Sequence, residues 1–306
     1  MRKLSGILTT LVLTAAACIA AACAQNTATA SGHDHDTMVM PTVPTSAAVA
    51  ADDSTIAPGA MTAAARLAAS PRHGEWVTIK TGPQAGDSLR LWVVYPQRST
   101  KAPVVIVVHE IFGLSTWIRS VADQLAADGF IAIAPDFLTG KVAVVPPDTV
   151  PSQVATAAIR TLDMDVVQRQ IDAAAAYGMA LPAALPKYGV VGFCWGGGVS
   201  FQHAVHSPTL GASVVYYGTS PASASLASVR APVLGLYGGE DARVGATVPP
   251  ADSTMRALGK AYTHYSFAGA GHGFLRGQDQ MNGANLAAAR AAWPMTIQFF
   301  RTNLER

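Results

Sequence analysis

The spacing of apolar residues divides the chain into three stretches. Residues 4–24 are almost wholly apolar or small, and residues 25–72 mix Ala, Thr, Pro and Ser with no sustained period. From residue 73 strand-like and helix-like segments alternate to the C-terminus. "EWVTIKT" (75–81) and "SLRLWVVYP" (88–96) alternate or run apolar as strands, split by the turn "GPQAGD". "APVVIVVHE" (102–110) is a continuous β-branched run, the pattern of a strand buried on both faces of a parallel sheet. In "TWIRSVADQLAADG" (116–129), Ile118, Val121, Ala122 and Leu125 recur at helical spacing and Gly129 marks the stop.

The same alternation continues. "FIAIAPDF" predicts a strand, "DMDVVQRQIDAAAAYG" a helix, "YGVVGF" a strand and "WGGGVSFQHAVHS" a helix. "ASVVYYG", "APVLGLYGGED" and "AYTHYSFAGAGH" complete the strands, with the helix "PADSTMRALGK" before the last of them. "GANLAAARAAWPMTIQFFRTNL" predicts a final helix, bent or restarted at Pro294. This order implies an α/β fold with a doubly wound, mostly parallel sheet flanked by helices and early antiparallel strands at one edge. Residues 73–306 form the domain and 25–72 a flexible leader in which "AAARLAAS" makes a turn or two of helix.

Composition narrows the functions. The 306 residues are 50% hydrophobic with a net charge of +2, enough apolar material for one large core and no electrostatic reason to expect nucleic acid. There are no zinc-type cysteine pairs and no phosphate-cradling Gly-x-x-x-x-Gly-Lys-Ser/Thr loop. Arg2 and Lys3 precede the apolar "GILTTLVLTAAACIAAACA", so residues 1–24 read as an export signal, with an Ala-rich second half too weakly apolar for a membrane anchor. Two processing sites fit. Ala22-Cys23-Ala24 has the small-x-small form and would release Gln25, while Ala20-Ala21-Ala22-Cys23 is a lipobox without its leucine and would leave a lipidated Cys23. The expected location is the periplasm, free or lipid-anchored to the envelope. Cys18 and Cys23 belong to the signal on either reading, so Cys194 is the one thiol left to the folded body. "HDHD" (33–36) in the leader reads as a solvated polar patch and not as a metal site.

In doubly wound sheets the working groups sit at the carboxyl ends of the strands. Four polar residues follow apolar strand runs directly: Glu110, Cys194, Asp241 and His272. Cys194, Asp241 and His272 give the order nucleophile, acid, histidine. Gly192-Phe193-Cys194-Trp195-Gly196 has the form Gly-x-nucleophile-x-Gly, a sharp strand-to-helix elbow. The helix N-terminus there favours thiolate over thiol. Asp241 has Glu240 as a neighbouring rival for the acid; its place in the turn favours Asp241. His109 shapes the turn beside Glu110, and His264 is structural. Glu110 sits at the mouth of an apolar site, where desolvation raises its pKa, and an acid beside a thiol holds it neutral and guarded from oxidation.

"HEIFG", "GFCWGGG", "YGGED" and "GAGHGF" together resemble the dienelactone hydrolase family, over about 230 residues from the first strands to the C-terminus. The resemblance implies an α/β-hydrolase that opens a lactone or ester through a Cys-His-Asp triad and a thioacyl-enzyme, with no metal and no organic cofactor. It makes Cys194 the nucleophile, His272 the base, Asp241 its orienting acid and Glu110 the acidic partner of the resting thiol. The backbone N–H groups of Ile111 and Trp195 become the oxyanion hole. Arg276, four residues past His272, becomes the grip on a substrate carboxylate, and Arg160 is the candidate for a second one. The chain departs from the family in its leader, in the loop "TGKVAVVPPDTVPSQ" and in Trp195, where the family's archetype has a smaller aliphatic residue. The expected partner is a small ester or lactone and the expected assembly a monomer or small homo-oligomer. A broad exported esterase or thioesterase with the same triad is the alternative, and a silent binding protein on this fold the less favoured one.

Overall fold

The computed structural model describes residues 52–82, 87–143 and 150–305. The expected export signal, Cys23 and the "HDHD" patch lie outside these residues. No helix among the described residues is long and apolar enough to cross a membrane.

Eight strands form one sheet. They are β1 (Gly74–Lys80), β2 (Ser88–Val94), β3 (Ala102–Val108), β4 (Ile131–Asp136), β5 (Ala184–Phe193), β6 (Ala212–Tyr216), β7 (Val233–Gly238) and β8 (Tyr262–Phe267), in spatial order β1-β2-β4-β3-β5-β6-β7-β8. β1 and β2 run antiparallel at one edge, β2 pairs antiparallel with β4, and the other neighbours are parallel. This is the mostly parallel, helix-flanked α/β-hydrolase sheet that the strand pattern implies.

The apolar run of β3 is buried at all seven positions because both faces are covered. Val105 and Val107 face the core under α2 (Thr116–Ala127) and α8 (Ala284–Leu304). Val104, Ile106 and Val108 face the core under α4 (Met164–Met179), α5 (Trp195–His206) and α7 (Val248–Ala257). The helices start where polar caps allow: Ser115 accepts from the Ile118 N–H at 3.5 Å, and the Asp163 carboxylate from the Asp165 and Val166 N–H groups at 2.8 and 3.3 Å.

One expectation needs correction. The body begins before residue 73. Residues 52–72, assigned to a flexible leader, lie on α2 and α8. Ile56, Ala57 and Ala63 are buried, α1 (Ala63–Ala68) packs on α2, and the Trp117 indole N–H donates to the Pro58 carbonyl at 2.8 Å. Small residues without period gave no amphipathic signal, and the segment is held mainly by hydrogen bonds. Of the two outcomes expected at Pro294, a bend or a restart, the restart does not occur: α8 runs through it as one helix. Proline removes one N–H there, yet Trp293, Thr296, Ile297 and Phe300 on either side are buried in the core. The Thr296 hydroxyl also meets that of Tyr216 at 2.7 Å.

Asp123 of α2 anchors the early segment. Its carboxylate accepts from Arg72 Nε at 3.0 Å and Nη2 at 2.5 Å, and from the Ser70 hydroxyl at 2.5 Å. Asp123→Ala should cost about 2–3 kcal/mol, because it leaves a half-buried guanidinium unpaired. Urea unfolding checks this: the midpoint should fall at unchanged slope, and a loss below about 0.5 kcal/mol would mean that the anchor contributes only as an exposed pair does.

Candidate active site

Five strand ends bring their following residues to one edge of the sheet. After β3 the chain turns through His109 and Glu110, both buried. His109 stacks on Trp195 at 5.5 Å and its Nδ1 lies 2.8 Å from the Glu110 carbonyl, so it shapes the turn. After β5 comes Cys194, after β6 Tyr217, after β7 Asp241 and after β8 His272.

Cys194 has φ 56° and ψ −115°, a conformation that side chains adopt only when the surroundings enforce it. Its N–H donates to the Tyr216 carbonyl at 3.1 Å, and its carbonyl accepts from Gly197 and Gly198. The elbow needs glycine at its flanks. A Cβ on Gly192 would lie 1.8 Å from the Gly196 carbonyl oxygen, and one on Gly196 2.4 Å from the Val108 and His109 oxygens. Strand, turn and helix therefore touch backbone to backbone and hold the thiol at the first turn of α5.

The His272 Nδ1 lies 2.5 Å from Asp241 Oδ2. Asp241 is buried at the start of α6 (Ala242–Gly245), and its other oxygen accepts from the Val244 N–H at 3.3 Å. The rival Glu240 is exposed, so Asp241 is the carboxylate that reaches the imidazole. No hydrogen bond joins the Cys194 sulfur to His272 among the described residues.

Glu110 and Arg276 form the other half of the site. Arg276 Nε lies 3.4 Å from Glu110 Oε2, an ion pair without hydrogen-bond alignment, and both atoms lack any hydrogen bond. The guanidinium lies over the Phe112 ring at 5.0 Å, and its side chain is 42% exposed while that of Glu110 is 5% exposed. Burial pushes the Glu110 carboxyl up to about 7, against the pull of Arg276. Burial first, and the Glu110 charge second, push the Cys194 thiol up to about 11. The helix N-terminus pulls toward the thiolate, but it does not decide the protonation state. The Trp195 N–H does favour the anion, but desolvation and the nearby carboxylate outweigh it. The resting group is a neutral thiol.

The Trp195 N–H points at the Cys194 sulfur. The Ile111 N–H donates to no backbone carbonyl among the described residues. The Thr156 hydroxyl of α3 (Ser152–Ile159) reaches the Ile111 carbonyl at 3.4 Å and ties that turn down from above. Arg160 caps the same helix, is exposed, and makes no ion pair among the described residues, so the structure does not bring it to the other groups. Two residues escaped the sequence reading. Buried Asn285 accepts from the Gly271 N–H at 2.9 Å and donates to the Gly277 carbonyl at 2.7 Å, clamping the loop that carries His272 and Arg276. Gln278 ties that loop to the early segment through the Ala57 carbonyl at 2.8 Å, and the Ala60 N–H donates to the Arg276 carbonyl at 2.7 Å. Neither residue stands in a motif, and both act through contacts distant in sequence. Among the described residues no group of three or more His, Cys, Asp or Glu is arranged to hold a metal ion.

Comparison with known proteins places this geometry. The model of the dienelactone hydrolase family matches residues 89–304. A Salmonella typhimurium protein named "Putative carboxymethylenebutenolidase" is 31% identical over 260 residues, covering 80% of this chain and 94% of its own. The crystal structure of a "Putative Dienelactone Hydrolase" from Klebsiella pneumoniae superposes with a TM-score of 0.61 at 26% identity, over 74% of this chain and 98% of that one. A dienelactone hydrolase-like promiscuous phosphotriesterase from metagenomic libraries shares the fold, with a TM-score of 0.63 at 21% identity, over 76% of this chain and 99% of that one.

The charge arrangement makes a pH prediction. Alkylation of Cys194 by iodoacetamide should follow an apparent pKa near 11 in the unliganded protein. Glu110→Gln removes the negative charge that disfavours the thiolate, so the apparent pKa should fall and the rate at pH 8 should rise severalfold. An unchanged profile in Glu110→Gln would show that burial alone sets the thiol.

Proposed function

The chain belongs to the dienelactone hydrolase family, and from that membership we propose that it opens a small lactone or ester carrying a carboxylate by attack of the Cys194 sulfur. The observation that carries this reading is the chain of charges around the thiol. A neutral thiol lies beside a buried acid, and that acid is paired to a half-exposed arginine that an anionic substrate can reach.

A carboxylate entering the site competes with Glu110 for Arg276, whose planar fork suits two parallel hydrogen bonds. Glu110 then loses the cation that holds its pKa down and takes up a proton from solvent, which it releases again when the product leaves Arg276. With that negative charge gone, the thiolate becomes easier to form. His272 accepts the thiol proton, and Asp241 holds the imidazole in the required tautomer and stabilises the imidazolium. The sulfur attacks the carbonyl carbon, and the oxyanion turns to the N–H groups of Ile111 and Trp195. The C–O bond breaks, the leaving oxygen takes the proton from His272, and the acyl group stays on sulfur. Water, deprotonated by His272, attacks the thioester, and the C–S bond breaks to restore the thiol. The scheme needs no metal or organic cofactor.

Export by residues 1–24 belongs to the same proposal. A thiol kept protonated until substrate arrives resists oxidation outside the inner membrane.

Arg276→Ala tests the reading. It should reduce kcat/KM for a carboxylate-bearing dienelactone by about 30- to 150-fold, or 2–3 kcal/mol, and for 4-nitrophenyl acetate by less than about threefold. Equal losses on both substrates would mean that Arg276 serves the loop and not the substrate's charge.

A further inference from the structure

The side-chain hydroxyl of Tyr217 is buried and makes no hydrogen bond. The residue stands one position past the end of β6, with φ 39°, in the left-handed region that costs a tyrosine energy to occupy. Its N–H is used on the Leu236 carbonyl at 2.9 Å, and its ring lies edge-on to His272 at 5.3 Å and to Phe274 at 5.4 Å. The hydroxyl is therefore an unused donor on a ring that packs against the imidazole. Glu110 Oε2 and Arg276 Nε are likewise buried and without a hydrogen bond. Glu110, Cys194 and Arg276 lie close enough for their charges to act on the Tyr217 hydroxyl.

An unsatisfied buried hydroxyl in a strained backbone destabilises the resting state. Such a group is useful only if another state of the site employs it. The mechanism proposed above supplies that state. Once a substrate carboxylate occupies Arg276, Glu110 is buried with neither a counter-charge nor a hydrogen-bond donor, and leaving it so is costly. We infer that Tyr217 is a positioning residue that takes over Glu110 when an anionic substrate occupies Arg276. Its O–H donates to a Glu110 carboxyl oxygen and keeps the acid off both the arginine and the thiol. The hydrogen bond can form to the ionised acid, where it is stronger, or to the carbonyl oxygen of the protonated one, and no covalent bond changes. This inference rests on the competition between Glu110 and substrate for Arg276.

Tyr217→Phe removes only the oxygen. Because that oxygen is unsatisfied at rest, the variant should melt at the wild-type temperature or above. It should nevertheless lose about tenfold in kcat/KM on the carboxylate-bearing dienelactone and less than about twofold on 4-nitrophenyl acetate. In an Arg276→Ala background Glu110 lacks its cation even without substrate. There the added Tyr217→Phe should slow 4-nitrophenyl acetate as well, by about tenfold. Equal losses on both substrates in the wild-type background, no loss on either, or a lower melting temperature would each overturn the role of Tyr217. Arg276→Ala that spares the dienelactone would instead defeat the substrate-competition reading, and this inference with it. Arg276→Ala that discriminates while Tyr217→Phe does not would defeat this inference alone.

Discussion

The site depends on one backbone reversal. Between β5 and α5 the chain passes through Cys194 at φ 56°, a conformation that an isolated cysteine avoids. It is held because Gly192 and Gly196 let strand, turn and helix meet at distances that no Cβ permits. The reversal puts the sulfur at the carboxyl edge of the sheet, where β3, β6, β7 and β8 deliver Glu110, Tyr217, Asp241 and His272. The two cores on either side of the sheet, and the clamps of Asn285 and Gln278 on the His272 loop, fix these edges relative to each other. Strain at one residue is thus maintained by packing spread over the whole domain.

Placing a thiol there has an electrostatic consequence. The position is partly desolvated and lies near a carboxylate, so the sulfur keeps its proton. On the proposed reading, full-time activation of the thiol is given up for a dependence on charge: whatever removes the negative charge of Glu110 favours the thiolate. Arg276 is the one group of the site both paired to Glu110 and substantially exposed. A substrate's own charge can therefore act as the signal, with reactivity arising in the presence of the molecule to be cleaved.

Much of this was legible in the sequence, for local reasons. The apolar run of β3 and the glycine spacing around Cys194 each encode a shape within a few residues. The polar residues after strand runs marked Glu110, Cys194, Asp241 and His272. What stayed hidden depends on contacts distant along the chain. Residues 52–72 look like a tether because Ala, Pro and Ser carry no period, yet Arg72 finds Asp123 and Pro58 finds Trp117. Asn285 sits in an alanine-rich helix with nothing to distinguish it, and Tyr217 reads as one more aromatic of β6. The helix end alone does not give the protonation state of Cys194, because burial and a carboxylate from another strand outweigh it. Arg160 was offered without a fixed register, and the fold leaves it in solvent.

The central claim is that this shielded sulfur carries the acyl group. The direct measurement is peptide mass spectrometry after mixing the protein with a slowly hydrolysed aryl ester and quenching in acid before one turnover. The account predicts the acyl mass on the peptide containing Cys194, labile to hydroxylamine at neutral pH as a thioester is. An acyl mass on any other residue, or turnover at full rate with no acylated Cys194 at any quench time, would contradict it.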